Sequence, residues 1–168
     1  PGAKLRGNVT LGPQSKIGGE VEDLIFQGYS NKQHDGFLGH SYIGEWVNLG
    51  ANTNNSDLKN NYGLIRLIKD DQKIETGKQF LGTMMGDYSR TGISTMLNTG
   101  TIIGLGANIF GAGFQDKYIP SFRWGKNDTT ELEKLFNTVE NMKQRRGKSL
   151  SSDEKIFLTE LYEKQIIK

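Results

Sequence analysis

The chain of 168 residues has no cysteine, only three prolines and only two histidines. The missing cysteines exclude disulfides, thiol nucleophiles and cysteine-type zinc sites, which fits a reducing compartment. A strong charge excess is also missing, because 21 lysines and arginines face 19 acidic residues, so electrostatics alone predicts neither nucleic-acid nor membrane binding. No apolar run approaches the roughly 20 residues of a membrane span, and no charged leader is visible. We expect a soluble, cytoplasmic protein.

Glycine is abundant, with 22 residues, and it recurs in register with apolar residues. The six-residue register runs through Leu5, Leu11 and Ile17, through Ile43 and Leu49, and through Met85, Thr91, Leu97, Ile103 and Ile109. This period is typical of a hexapeptide parallel β-helix, in which the apolar residue points inward and about 18 residues close one coil. A flexible linker would have glycine and serine without the apolar spacing. The chain begins with Pro1-Gly2 already close to this register, so we expect the carboxyl part of a longer polypeptide.

The pattern divides the chain into a β-helix domain over residues 1–125 and a helical segment over 126–168. An insertion at about 52–81 interrupts the repeat, and its KDDQ turn predicts a hairpin that projects from the coils. Thr130 with Glu133, and Ser151 with Glu154, predict capping boxes that open two helices. We interpret these helices as a cap over the open end of the coils, with a separate partner-binding role as the alternative.

Both histidines lie in the stretch KQHDGFLGHSYIG, where His34 and His40 are six residues apart. Six residues of extended chain span roughly 20 Å, and positions six apart fall on different faces of a coil. A shared metal is therefore disfavoured, and no metal site is predicted. A neutral imidazole can act as a general base near pH 7. His34 is the catalytic candidate because the repeat is disrupted there; the alternative is a surface histidine near a corner.

Four blocks carry a resemblance: KQHDGFLGHSYIGEWVNLGANT, NNYGLIRL, GDYSRTGISTMLNTGTIIG and KYIPSFRWG. They resemble the carboxyl-terminal domain of bacterial bifunctional glucosamine-1-phosphate N-acetyltransferase and N-acetylglucosamine-1-phosphate uridyltransferase proteins, in their alternative branch, over about residues 5–125. The resemblance implies a left-handed parallel β-helix, a homotrimer, and acetyl-coenzyme A (acetyl-CoA) bound along the groove between neighbouring chains.

The resemblance also assigns roles to individual residues. His34 matches the general base, and Lys32 resembles the lysine just before it. Substrate contacts are assigned to Asn48 and to Asn61 with Tyr62, with Asn55 competing for the latter role. Independently of the resemblance, the charge of Arg66 makes it a candidate to neutralise a sugar phosphate. Coenzyme contacts are assigned to Gly92, Gly104, Gly111 and Arg123. Two departures from the family pattern are Phe37, which replaces a tyrosine, and Asn52, which replaces a glycine.

The resulting prediction is an enzyme that moves acetyl from acetyl-CoA to the amine of a hexosamine 1-phosphate, foremost glucosamine 1-phosphate, in UDP-N-acetylglucosamine biosynthesis. One alternative is a non-catalytic trimerisation or regulatory module of an amino-terminal nucleotidyltransferase domain. A different amino sugar as acceptor is another.

Overall fold

The structure is a computed structural model that describes residues 2–166. It is a parallel β-helix of about seven coils followed by two helices, so the predicted fold class is confirmed. Short strands follow one another around three faces. Face A is a parallel sheet of β1 (Lys4–Leu11), β3 (Glu20–Phe26), β6 (Tyr42–Ile43), β10 (Thr83–Met85), β13 (Thr101–Ile103) and β15 (Tyr118–Ile119), with β5 (Phe37–Gly39) paired to β3. Face C contains β7 (Asn54–Asn55) and β12 (Met96–Leu97).

Face B carries the features on which the functional argument depends. Its strands are β2 (Lys16–Ile17), β4 (Asn31–Lys32), β11 (Arg90–Thr91), β14 (Asn108–Ile109), β16 (Arg123–Trp124) and β17 (Asp128–Thr129). Single bridges through Asn48 join β4 to β11, so the face is continuous from coil to coil. The last strand, β17, pairs antiparallel with β16, and the predicted domain boundary after residue 125 falls inside this hairpin.

The predicted hexad register is confirmed by burial in the middle of the chain, and at its start it is seen in the strand pairing. Ile43, Leu49, Met85, Thr91, Leu97, Ile103 and Ile109 are all buried. Leu5 and Leu11, in contrast, are 53% and 43% exposed. Both belong to β1, the edge strand of face A, which has a neighbouring strand on one side only. Leu5 and Leu11 pair in register with the buried Val21 and Phe26 of β3, so they occupy inward positions of the register although they are exposed.

The insertion contains the predicted hairpin, formed by β8 (Arg66–Lys69) and β9 (Gln72–Glu75). Its two turn residues, Asp70 and Asp71, both have positive φ, as a two-residue type I′ turn requires. The hairpin does not project, however. Ile65, just before β8, is fully buried close to Gly100, and Asp70 accepts a hydrogen bond of 3.0 Å from the Tyr118 hydroxyl. The prediction of a projecting arm is therefore wrong, because an apolar side of the insertion packs on the coils.

The helices are α1 (Leu132–Gln144) and α2 (Ser152–Ile166). The predicted capping box of α2 is confirmed, since Ser151 and Glu154 exchange hydrogen bonds of 2.9 and 3.2 Å. The predicted box at Thr130 is wrong. Glu131 is the N-cap residue and makes no side-chain cap bond, and Thr130 is buried behind the β16–β17 hairpin, where its hydroxyl lacks a partner in the described part of the chain.

The helices lie along one edge of the coils. Successive coils contribute one residue each to a column at the corner between faces A and B. We call it the aromatic column, and it consists of four aromatic residues and one leucine: Tyr29, Trp46, Tyr88, Leu105 and Phe122. Leu135 and Val139 of α1 and Leu158 of α2 pack against this column. A cap over the open end would contact one coil, so the structure differs from the predicted arrangement. Among residues 2–166, no helix combines the length and apolarity that crossing a membrane requires.

Candidate functional site

A cavity of about 600 Å³ lies over the outer surface of face B. We call it the face B cavity. Its lining comes from the coils (Lys16, Tyr29, Asn31, Gln33, His34, Trp46, Val47, Asn48, Leu49, Gly50, Ala51, Arg90 and Ile93) and from the end of α1 (Met142, Arg145 and Arg146). The helix therefore forms a wall over a surface that the strands alone would leave open.

The floor of the cavity is a ladder of outward side chains on face B. Backbone pairing aligns Lys16 with Asn31, Asn31 with Asn48, and Asn48 with Arg90. Each of these residues directly precedes an inward residue of the coil, so its side chain points to the opposite side, outward. The ladder gives the floor two amides and two cations.

His34 stands at the edge of this floor, in the exposed turn after β4. The next coils bring Gly50, Ala51 and Ile93 to the same rim. The structure thus brings two of the predicted site residues, His34 and Asn48, into one cavity. An imidazole at the rim and an amide on the floor can contact one small polar molecule together.

Lys32 does not face the cavity, and its predicted contact with substrate is wrong. Its side chain points into the coil and is only 1% exposed. The ammonium donates to the carbonyl oxygens of Gly18, His34 and Gly36 at 3.0, 3.2 and 2.6 Å. Burial lowers the pKa of Lys32, and the nearby Asp35 carboxylate opposes this shift. Lys32 therefore fixes the turn that carries His34 from inside.

Asn55 also points inward. Its amide accepts from the Gly39 N–H at 2.9 Å and donates to the Gly39 carbonyl at 3.0 Å and the Ser41 hydroxyl at 3.2 Å. The side-chain amide thus pairs with the Gly39 backbone as a peptide group of a neighbouring strand would. Asn55 therefore holds adjacent coils together. Its predicted role in substrate binding is wrong, because the side chain is 5% exposed inside the coil.

The other predicted substrate residues lie on the insertion, away from the face B cavity of this chain. Tyr62 is 68% exposed, and the Asn61 side chain accepts a hydrogen bond from the Gly63 N–H at 3.1 Å. Arg66 makes an ion pair of 2.6 Å with Glu75 across the hairpin. Within one chain the structure does not bring these three residues together with His34.

A second cavity, of about 210 Å³, lies at the carboxyl end of the coils. We call it the end cavity. It contains two predicted coenzyme residues, Gly111 and Arg123, together with Phe110, Tyr118 and Lys126. The corner between faces B and C runs from the first cavity to the second, since Gly50 of the face B cavity packs on Gly92, and Gly92 packs on Phe110 of the end cavity. From the coil of His34 to that of Gly111 there are three coil steps, or about 14 Å at ~4.8 Å per step.

The positions of Gly104 and Gly92 bear on their predicted contacts with the coenzyme. Gly104 lies on the opposite corner, against Ser121, so the structure does not bring it together with the other coenzyme residues. The N–H groups of Gly50 and Gly92 already donate to Thr91 and Ile109 of the following coils, at 3.2 and 2.7 Å. These glycines are needed for close coil stacking, and their amides are committed to it.

The two departures from the family pattern have different consequences. Asn52, where the pattern has glycine, adopts a φ of 57°. Asparagine tolerates this left-handed conformation better than most residues, so the backbone shape is retained. Phe37 lies against Gly39 and is not part of the face B cavity lining. The hydroxyl lost at Phe37 therefore does not face the cavity of this chain.

Sequence reasoning missed the residues that make the cavity basic. Arg90, Lys16, Arg145 and Arg146 all line it. The first two had a readable signal, because each occupies the slot just before an inward residue of face B. Arg145 and Arg146 had no such signal in the sequence, since only the packing of α1 on the aromatic column brings them to face B.

His40 lies elsewhere, on the corner between β5 and β6. Its Nδ1 is 2.8 Å from an Asp57 oxygen, its Nε2 is 3.5 Å from an Asp23 oxygen, and its ring stacks on Phe80. In the part of the chain that the structure describes, no group of three histidine or acidic side chains is placed to hold a metal ion. His40 is therefore a residue of the coil packing, separate from the cavity of His34.

The fold and the cavity define a hexapeptide-type parallel β-helix protein with a basic cleft on one face, bordered by an exposed histidine. No protein-family model matches the chain. It is 33% identical over 113 residues to a bifunctional sugar-1-phosphate nucleotidylyltransferase/acetyltransferase of Sulfurisphaera tokodaii, which covers 66% of the chain and 28% of that protein. It is 29% identical over 112 residues to the bifunctional protein GlmU of Methanococcus aeolicus, covering 63% and 27%. The chain thus spans just over a quarter of these curated relatives, and they confirm the resemblance derived from the sequence.

Proposed function

We propose that the chain is an acetyltransferase domain that moves acetyl from acetyl-CoA to the amine of a hexosamine 1-phosphate, with glucosamine 1-phosphate as the first candidate, in the formation of UDP-N-acetylglucosamine. The observation that carries the proposal is the meeting of His34 and Asn48 in one basic cavity on face B. Both curated relatives are named as bifunctional proteins, and the name of the Sulfurisphaera tokodaii protein includes an acetyltransferase.

The chemistry assigns His34 the role of general base. An amino sugar is largely protonated near pH 7, and only its free amine can attack a thioester carbonyl. The neutral His34 imidazole accepts a proton from the free amine as the new C–N bond forms. The C–S bond then breaks, the imidazolium gives this proton to the leaving sulfur, and coenzyme A leaves as the thiol. Asn48 on the floor of the cavity orients the sugar. It is bridged to Asn31, the residue below it in the same ladder.

The negative charge that develops on the carbonyl oxygen needs N–H donors. Gly50 and Gly92 do not supply them, because their N–H groups already bond to neighbouring coils. Ala51 and Ile93 follow these glycines and line the cavity rim beside His34. Their backbone N–H groups are the candidates that we assign to this oxygen.

Acetyl-CoA would lie along the corner between faces B and C. The thioester would be next to His34, the pantetheine arm would pass Gly92, and the nucleotide end would reach Gly111 and Arg123 in the end cavity. The three coil steps between His34 and Gly111, about 14 Å, suit an extended pantetheine chain. Gly104 has no part in this path because it lies on the other corner.

The assembly is part of the same proposal. A homotrimer would place the insertion of a neighbouring chain next to the face B cavity, which is how Asn61, Tyr62 and Arg66 would meet the sugar. An amino-terminal nucleotidyltransferase domain would use the acetylated product, in the cytoplasm. The acetyl site requires no metal in this mechanism.

The test is acetyl transfer in vitro, with acetyl-CoA and glucosamine 1-phosphate as substrates and thiol release as the readout. We expect His34→Ala to lower kcat by roughly 10² or more while the oligomeric state is unchanged. His40→Gln is the matched control, because it removes the other imidazole from the coil corner and should lower stability but not turnover.

An unchanged kcat in His34→Ala would remove His34 from the base role. An inactive wild-type protein that also fails to bind acetyl-CoA would favour a non-catalytic trimerisation module. Turnover with another amino sugar, in a panel of acceptors, would replace glucosamine 1-phosphate as the substrate.

A further inference from the structure

The positive charge of the face B cavity has no counterpart in its lining. Four of the lining residues are cations, namely Lys16, Arg90, Arg145 and Arg146, and among the described residues that line it none is acidic. Exposed lysines and arginines normally alternate with acidic residues on a mixed surface. Four cations around one concave surface therefore define a site for an anion.

Arg90 is the most informative of these residues. Its guanidinium is half-buried on the floor, and its Nε atom is fully buried and has no hydrogen-bond partner in the part of the chain that the structure describes. Its Nη1 is 3.9 Å from the sulfur of Met142, a weak acceptor. Burial lowers the pKa of Arg90. An arginine held in this way lacks the strong acceptor that a buried guanidinium needs.

The end of α1 supplies the other arginines at fixed positions. Arg146 donates to the Asn31 side-chain oxygen of the floor at 3.2 Å, which uses one of its five N–H donors. Lys143, one turn earlier, is buried, pairs with Glu154 and lies over the Trp46 ring. These contacts fix the helix end over the ladder, so the arginines are arranged before any ligand binds.

Two acidic side chains of the helix pair, Glu140 and Glu154, are engaged by other partners. Glu140 accepts hydrogen bonds from the Leu150 N–H and the Gln144 amide at 2.8 and 2.9 Å. Glu154 is held by Lys143 and by Ser151. Both carboxylates are occupied within the helix pair, which leaves the arginines over face B for an external anion.

We propose that the carboxyl end of α1 completes an acceptor site over face B, in which Arg90, Arg145 and Arg146 bind the phosphate group of the sugar substrate. This inference rests on the proposed function and makes the helical segment a determinant of specificity for a phosphorylated acceptor. Arginine suits this role because its planar fork donates two parallel hydrogen bonds to phosphate oxygens.

The experiment measures binding without turnover, by titration calorimetry on the full chain. The ligands are glucosamine 1-phosphate, glucosamine and, separately, acetyl-CoA. We expect the double variant Arg145→Gln/Arg146→Gln, and Arg90→Gln by itself, to weaken glucosamine 1-phosphate binding by roughly 10- to 100-fold. Binding of glucosamine, which lacks the phosphate, should change little. Arg145→Gln alone alters only an exposed side chain, so it keeps the test valid if the other variants fold poorly.

Lys164→Gln is the matched control, since Lys164 is an exposed cation in the last turn of α2. It should leave the affinity for glucosamine 1-phosphate unchanged. Inorganic phosphate should compete with glucosamine 1-phosphate in the wild type, and this competition should weaken as salt is raised.

The outcomes separate this inference from the proposed function. A wild type that binds glucosamine 1-phosphate through these arginines but does not transfer acetyl would support the phosphate site and refute the enzyme. Arginine variants that bind glucosamine 1-phosphate as tightly as the wild type would overturn the inference, even with acetyl transfer intact. A selective loss of acetyl-CoA affinity would overturn it too, because the arginines would then serve the coenzyme phosphates.

Discussion

Replacing Lys32 by methionine tests whether a buried ammonium holds the turn that carries His34. Methionine keeps the unbranched stem and removes the three hydrogen bonds to Gly18, His34 and Gly36. The Gly36 carbonyl keeps a second donor, the Glu20 N–H at 3.1 Å. The damage therefore falls mainly on the carbonyls of Gly18 and His34.

The magnitude follows from those two carbonyls. Each buried acceptor that loses its donor costs about 1–3 kcal/mol. Removing a buried charge returns part of this sum, because the ammonium no longer has to be desolvated. We expect a net loss of about 2–4 kcal/mol in the free energy of unfolding. If the proposed function is correct, kcat should also fall, since the loosened turn carries the base.

Urea unfolding followed by circular dichroism measures the stability, and thiol release measures kcat. The matched control is Lys73→Met on the exposed strand β9, which should stay within about 0.5 kcal/mol of the wild type. A Lys32→Met protein as stable as this control would refute the reasoning. It would mean that the coil tolerates the unpaired carbonyls, or that water replaces the ammonium.

Two further predictions concern pH and close packing. Despite the opposing effect of burial, hydrogen bonds from Lys143 and the α2 cap lower the pKa of Glu154 from its usual 4.5 to about 2. The stability from this shift is present above about pH 4.5 and is lost as the pH falls towards 2. The wild type should lose about 1–2 kcal/mol of stability over this pH range, allowing for the partial exposure of the carboxylate, and Glu154→Gln should not show this loss. Thermal unfolding scans at several pH values measure it, and equal pH dependence of stability in the wild type and the variant would contradict the prediction. Gly82→Ala should cost about 2 kcal/mol or more in urea unfolding, because its methyl carbon would lie 1.9 Å from the Gly39 carbonyl oxygen. Gly63→Ala is the control, as its nearest contact is a side-chain oxygen at 3.1 Å, and equal losses in the two variants would refute the packing argument.

The fold was predictable because a hexad register is a local property of the sequence. Ile103 and Ile109 are buried as their spacing predicts, and the KDDQ turn forms the hairpin as its residues predict. Burial depends on position along the solenoid as well as on the local pattern. Leu5 has the same pattern as Ile103 but belongs to β1, which pairs with a strand on one side only, and it is 53% exposed.

The site was predictable only in part. His34 was found from the disrupted repeat and Asn48 through the resemblance, and the structure brings them together. Lys32 was misassigned because it resembles the lysine that precedes the family's histidine. Its slot on face B, aligned with Ile17 of the preceding coil, points inward. The contribution of Arg146 depends on a contact with Asn31 over 115 positions of sequence, and no local pattern encodes such a contact.

The docking of α1 along the aromatic column has a consequence for how this solenoid can change in length. Repeat proteins usually tolerate gain or loss of a unit, because each unit contacts only its neighbours. Here the 13 residues of α1 measure about 20 Å at 1.5 Å per residue, while the four steps from Tyr29 to Phe122 measure about 19 Å. The length of α1 thus matches the height of the coils that it contacts. An inserted or deleted coil between these residues would carry Arg146 about 5 Å away from Asn31, so a change in the number of coils would need a matching change in the length of α1.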